Sequence, residues 1–110
     1  MPRITDDQII ANVIKLLRLC IESENFAAQA RNSIEGLSIL LPAVSGSLKP
    51  IVQQIRDSLN QCIVQTSDQM LYFIDAVLQP AIRSSEQFPT LKAALLQLRT
   101  RANLKIQVGV

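Results

Sequence analysis

Residues 5–22 read TDDQIIANVIKLLRLCIE, and this stretch decides the fold class. Thr5 and Gln8 have the spacing of a capping box, in which each side chain accepts a hydrogen bond from the other residue's backbone N–H. The two Asp residues between them fall in the first turn, where the helix dipole favours negative charge. Apolar residues then recur at helical spacing along one face, at Ile9, Ile10, Val13, Ile14, Leu17, Cys20 and Ile21. The pattern predicts an amphipathic helix that begins at residue 6.

A second apolar stripe follows over residues 26–41, and it is displaced by about a third of a turn from the first. A straight helix would turn the two stripes toward different neighbours, so we expect a kink or a short break near residues 23–25. Pro42 and Gly46 lie among serines in the segment that follows, which is typical of a loop. The first long helix is therefore predicted over residues 6–41.

A third apolar stripe keeps one phase from residue 48 to residue 77, which predicts a helix over residues 48–79. The tetrapeptide at residues 66–69 resembles another capping box, but the unbroken phase favours one continuous helix of about 48 Å. Pro80 ends or bends that helix, and Pro89 begins a last helix predicted over residues 89–103. The sequence thus predicts one all-α domain over residues 1–110. We expect an elongated antiparallel bundle of three long helices with coiled-coil-like contacts, or of four if the first helix breaks.

The tail, residues 104–110, reads LKIQVGV and alternates apolar with other residues. This period of two is typical of a β-strand. A lone strand needs an edge, which a second copy or a partner's sheet can supply. A frayed helix end explains the same residues equally well, so the tail is predicted as a short strand or as a helix terminus.

The composition offers little catalytic chemistry. The 110 residues are 48% hydrophobic and 18% charged, and the chain contains no His. Without His, one chain can form neither a Ser–His or Cys–His pair nor a zinc site of the Cys/His kind. The chain also has no glycine-rich phosphate-binding motif. We therefore expect a protein that is not an enzyme and that uses no cofactor, no metal and no small-molecule substrate.

Cys20 and Cys62 both lie in apolar stripes, which favours buried, inert thiols. The alternative is a redox pair that links the first helix to the long one. The start of the chain, residues 1–8, has no long apolar core behind a basic region, and the longest uncharged run, residues 36–48, is too short to span a bilayer. An intracellular, cytoplasmic location is the expectation from these features.

The predicted helices carry more apolar surface than they can bury together. Because the last helix is about half as long as the others, parts of their stripes would stay exposed in a monomer, and exposed apolar patches usually mark interfaces. We expect a non-enzymatic interaction module, meaning a scaffold, adaptor or assembly subunit, that binds a protein partner or itself as a homodimer or larger assembly. The candidate contact residues are Leu96 and Leu104 of the last helix, Ile10 and Ile14 of the first, and Ile106, Val108 and Val110 of the tail.

A bundle that acts on or binds a membrane surface is the alternative, with residues 37–44 and the first stripe open to lipid. Residues 81–110 hold five Lys and Arg and one acidic residue. That bias favours an anionic partner, although Lys and Arg also collect near helix C-termini for electrostatic reasons. Arg99, Arg101 and Lys105 are the candidate anion contacts. Nucleic-acid binding is disfavoured, because Arg99 and Arg101 point in nearly opposite directions and no aromatic residue lies among the three.

Overall fold

Five helices form in residues 4–65 and 67–108, the part of the chain that the computed structural model describes. The first three are α1 (Asp6–Glu22), α2 (Phe26–Leu40) and α3 (Leu48–Cys62), and a single 3-10 turn, Leu41–Ala43, extends α2. The fourth consists of α4 (Gln69–Tyr72), a π-helical stretch (Phe73–Leu78) and α5 (Gln79–Ser84), which run on without a break and are together called the 69–84 helix. The fifth is α6 (Pro89–Val108). The all-α class is confirmed, with 83% helix and no strand in the described residues.

Side-chain caps mark the residues at which α1 and α2 each begin. The predicted capping box of α1 is confirmed, because Thr5 Oγ1 accepts from the Gln8 N–H at 3.2 Å and Gln8 Oε1 accepts from the Thr5 N–H at 2.8 Å. The predicted break near residues 23–25 is also confirmed. Asn25 caps α2 by accepting a hydrogen bond from the Ala28 N–H at 3.1 Å. The break reverses the chain, so α2 packs antiparallel against α1 rather than continuing it.

The prediction of one continuous helix over residues 48–79 is wrong. α3 ends at Cys62, and the chain reverses over residues 63–68 before the 69–84 helix folds back along α3. Asp68 adopts the left-handed conformation at this reversal, with φ 53° and ψ 36°. Both segments face the same core, and the spacing of their apolar residues does not show that the chain turns between them. Thr66, the first residue of the tetrapeptide that resembles a capping box, lies outside the described residues.

Pro80 lies inside the 69–84 helix and does not end it. A proline lacks the N–H of a regular turn, and its ring crowds the carbonyl four residues earlier. The π-helical stretch Phe73–Leu78 ends two residues before Pro80 and includes the carbonyl that the ring crowds, and its wider turns accommodate this crowding.

The prediction of a C-terminal strand is wrong for residues 104–108, which continue α6 to Val108. A helix gives each of these N–H groups a partner within its own segment, whereas a strand would need a sheet edge that an all-helical chain does not offer. Residues 109–110, the rest of the predicted strand, lie outside the described residues.

Successive helices run antiparallel around one core. α1 lies against α2 and α6, α3 lies against α2 and the 69–84 helix, and α6 also packs on the 69–84 helix. The prediction of three long helices, or of four with a break in the first, is therefore wrong, because the chain folds as five helices. The Cα radius of gyration is 13.3 Å, with principal extents of 46 × 24 × 18 Å. A compact chain of this length has a radius of about 13 Å. The largest fully buried side chains include Phe73, Ile9, Leu17, Leu37, Leu48, Ile55, Leu59, Leu78, Leu91 and Leu95.

Candidate functional site

An apolar groove of about 360 Å³ runs between the middle of α1 and the C-terminal end of α2. Residues three or four apart share one face of a helix, so each helix presents a single row of side chains to the groove. The lining residues are Asn12, Lys15 and Leu16 from α1, Gly36, Ile39 and Leu40 from α2, and Ala43 from the turn after α2. We call this set the α1–α2 groove.

The floor of the α1–α2 groove is set by a close approach of the two helices. A Cβ placed on Gly36 would lie only 3.1 Å from Leu16 Cδ1, so the missing side chain is what lets Leu16 lie across α2. One turn earlier on α2, the buried Ser33 donates its Oγ–H to the Leu16 carbonyl oxygen at 2.9 Å. Leu16 is therefore held at two points, since its side chain packs on Gly36 and its carbonyl oxygen accepts the hydrogen bond from Ser33.

Ile39 forms the edge of the α1–α2 groove and is 73% exposed, the largest value for any large hydrophobic residue in the described part of the chain. Leu16 and Leu40 beside it are half-buried and pack against the core. The site therefore combines a projecting aliphatic side chain with a neighbouring apolar depression.

The polar groups at the groove are few. Asn12 donates from Nδ2 to the Gln8 carbonyl oxygen at 2.9 Å, which uses part of its amide within α1. Lys15 is exposed at the rim. With aliphatic walls and one ammonium group, the groove is suited to binding an apolar side chain.

The predicted contact residues do not gather on one exposed surface. Ile10 is buried, and Ile14, Leu96 and Ile106 are half-buried against the core. Leu104 is 54% exposed on α6. Val108 is the last residue of α6, and Val110 lies outside the described residues. Most of the predicted set thus contributes to the core of a single chain.

The three predicted anion contacts each have a partner within the chain. Arg99 Nη1 donates to Gln79 Oε1 at 2.9 Å, and Arg101 Nη1 pairs with Glu22 Oε1 at 3.1 Å. Lys105 donates to backbone carbonyls at the C-terminal end of α1. Arg101 and Lys105 therefore meet at the end of α1, whereas Arg99 reaches the 69–84 helix.

Cys20 and Cys62 are free, and the prediction that both are buried is confirmed. The Cys20 thiol contacts Ser33 Oγ at 3.4 Å, and the Cys62 thiol donates to the Gln69 carbonyl oxygen at 3.3 Å. Burial raises the pKa of Cys20, with the Ser33 hydrogen bond acting in the opposite direction. Burial, assisted by Cys20, raises the pKa of Cys62 to about 12. Both groups therefore stay protonated near neutral pH, which disfavours nucleophilic chemistry.

A second cleft of about 370 Å³ lies where α3 begins and the connection to α6 passes. Its polar side chains largely satisfy one another, since Ser47 donates to Gln87 Oε1 at 3.0 Å and Ser84 donates to Gln54 Oε1 at 3.4 Å. Glu86, at its edge, pairs with Lys92. This cleft therefore offers fewer free groups to a ligand than its lining suggests.

Three wider observations bear on the site. Over residues 4–65 and 67–108, no group of three acidic or Cys side chains converges as metal ligands. No helix within those ranges combines the length and the apolar character needed to cross a bilayer. Comparison with protein-family models, with curated proteins and with solved structures finds no match to this chain.

The candidate protein-contact residues predicted from the sequence do not include the lining of the α1–α2 groove, although residues 37–44 were predicted to face lipid in the membrane alternative, and two signals point to Ile39 and Leu40. Ile39 and Leu40 lie off the main apolar stripe of their helix, and both fall within the uncharged run of residues 36–48. Apolar residues outside the core stripe are the ones that a monomer leaves exposed. The position of Gly36 opposite Leu16 could not be read from spacing, because it depends on how the two helices pack.

Proposed function

We propose that this protein is a non-enzymatic helical interaction module that binds an apolar side chain of another protein in the α1–α2 groove. The observation that carries this proposal is the exposure of Ile39 beside an apolar depression. Burying an exposed Ile side chain stabilises an assembly by about 1.5–3 kcal/mol. Because the chain buries most of its other aliphatic residues, a partner that buries the Ile39 side chain would lower the free energy of the assembly.

The construction of the groove also supports a binding role. Gly36 and Ser33 of α2 hold Leu16 of α1 in place before any partner binds, so the groove side chains need little ordering on association. A preformed depression lowers the entropic cost of binding. Because helices of a partner present side chains at the same spacing as α2, a helical surface is the shape that best fits a groove between two helices.

Binding to a membrane surface is the second candidate, favoured by one observation. Residues 36–48 carry no charge, and Lys15 stands at the rim of the groove they help to form. Apolar surface edged by a cation is typical of peripheral lipid binding. Glu35 is exposed one turn before Ile39, however, and would repel an anionic headgroup. The balance of charge favours a protein partner.

Photo-crosslinking in cells that make the protein tests the proposal. The crosslinking residue p-benzoylphenylalanine would replace Asn32, which is exposed two turns before Ile39 on the same side of α2. We expect a protein adduct that disappears in the Ile39→Asp background and persists with Ile39→Leu. The same crosslinker in place of Gln53, exposed on α3, serves as the control and should give no adduct that depends on Ile39. Adducts to lipid alone would support the membrane alternative, and no Ile39-dependent adduct would overturn both.

A further inference from the structure

We infer that the occupant of the α1–α2 groove is a second copy of this chain, which binds through a two-fold interface with Ile39 of each copy seated in the groove of the other. The inference rests on the proposed function and names its partner. Its basis is that the projecting residue and the depression lie side by side on one face. A two-fold axis through such a face matches each projection with a depression, and this self-complementarity is what an isologous dimer requires.

The charges on this face are compatible with a second copy. Lys15 lines the groove, and Glu35 is exposed one turn before Ile39. Among the described residues, the ion pairs form elsewhere and involve neither of these two. One positive and one negative group leave the face with no net charge. Two identical copies therefore approach without net repulsion, whereas a strongly acidic or basic partner would gain nothing here.

The size of the face sets the expected strength of the dimer. α1 has 17 residues and is therefore about 25 Å long. Two helices side by side are about 20 Å wide, so the face covers roughly 500 Å² per copy. Stable interfaces of standard size bury about 800 Å² per partner, and smaller ones are transient. We therefore expect a dimer that forms reversibly at micromolar or higher concentration.

Sedimentation of the purified full chain over about 1 µM to about 1 mM tests the inference. We expect the mass to rise from that of one chain to that of two. Ile39→Asp should weaken the dimer at least tenfold, whereas Val64→Asp should not change it. Val64 is the matched control because it is 66% exposed but lies in the turn after α3, away from the groove. Equal helical circular dichroism of both variants would show that they are folded.

The contact itself is mapped with p-benzoylphenylalanine in place of Asn32 in the purified protein. An adduct of doubled mass, joined to peptides from α1 or α2 of the other copy, supports the two-fold interface. A chain that stays monomeric throughout, or a dimer unaffected by Ile39→Asp, overturns the inference. If the chain is monomeric while cells still give an Ile39-dependent adduct to a different protein, this inference fails and the proposed function stands. If neither adduct forms, both fail.

Discussion

The Lys105 ammonium group donates a hydrogen bond to the Ser23 carbonyl oxygen at 2.9 Å, joining the last helix to the end of the first. It also donates to the carbonyl of Ile21. α1 has no basic residue in its own last turn. The C-terminal end of a helix favours positive charge and leaves carbonyl oxygens unpaired. Lys105 of α6 therefore provides the positive charge and the hydrogen-bond donor that the last turn of α1 does not contain. The positive C-terminal segment of this chain thus has a structural role.

Lys105→Met should therefore lower the free energy of unfolding by about 1 kcal/mol, because it keeps most of the side-chain stem but removes the charge and both hydrogen bonds. Urea unfolding followed by circular dichroism measures the change. The matched control is Arg31→Met, which removes a cation from the exposed side of α2 and should change stability by less than about 0.5 kcal/mol. Equal effects of the two substitutions would contradict the capping role of Lys105.

Asp68 offers a test of the chain reversal between α3 and the 69–84 helix. Its φ of 53° lies in the left-handed region, which costs an ordinary L-residue about 1–2 kcal/mol and glycine almost nothing. Its side chain makes no capping hydrogen bond to α4. Asp68→Gly should therefore be more stable than Asp68→Ala by about 1 kcal/mol. Thermal unfolding of the two variants, compared directly, measures the difference.

The sign of that difference separates the observed fold from a continuous helix. Within a helix, alanine is more stable than glycine by about 1 kcal/mol. If the Asp68→Ala variant were more stable than the Asp68→Gly variant, the result would contradict the reversal and support one helix over residues 48–79.

The start of α1 and the break between α1 and α2 could both be predicted, because each depends on residues that are close together in sequence. The capping box of Thr5 and Gln8 and the phase shift near residues 23–25 each depend on neighbours in sequence, and both predictions are confirmed. The reversal at Asp68 was not predicted, because the spacing of apolar residues reports which residues face a core and does not tell one continuous helix from two helices that face the same core. A helix of about 48 Å would also have extended past its partners and left its end unpacked.

The candidate site could be predicted only in part. Surplus apolar surface was expected, but the residues chosen for it, such as Leu96 and Ile10, contribute to the core of a chain with five helices. Each of the two predicted long helices divides into two that fold back on each other, and this covers faces that three long helices would have left exposed. Ile39 stays exposed because it lies off the buried stripe of α2. Its role as the edge of a groove depends on the approach of Gly36 to Leu16, which is a tertiary feature.

Ser33 should stabilise the α1–α2 pair measurably. Its hydroxyl group is fully buried. It donates a hydrogen bond to the Leu16 carbonyl oxygen at 2.9 Å and accepts one from the Cys20 thiol at 3.4 Å. Ser33→Ala should cost about 1–2 kcal/mol, since it removes these bonds and leaves a small void. Urea unfolding measures the loss. Ser38→Ala, on the exposed side of the same helix, should instead be neutral or slightly stabilising, because alanine has the higher helix propensity. A neutral Ser33→Ala would show that the buried hydroxyl contributes nothing to stability.

The Cys62 thiol should make the protein less stable at alkaline pH. Burial raises its pKa from the ordinary value of 9.0 to about 12, and the nearby Cys20 adds to the increase. Well below pH 9 both the folded and the unfolded chain keep the proton, so the contribution of the thiol is fully present. Between pH 9 and about 12 the unfolded chain loses the proton first, and stability falls by at most about 1.4 kcal/mol per pH unit for this group.

Urea unfolding at a series of pH values measures this slope, and Cys62→Ala is the control, because removing the titrating group should make the alkaline decline shallower. The same burial predicts that a thiol reagent such as Ellman's reagent reacts with neither cysteine in the native protein at about pH 8, and with both once urea unfolds it. Rapid reaction of native Cys62, together with an alkaline slope that Cys62→Ala leaves unchanged, would contradict a buried and protonated thiol at the end of α3.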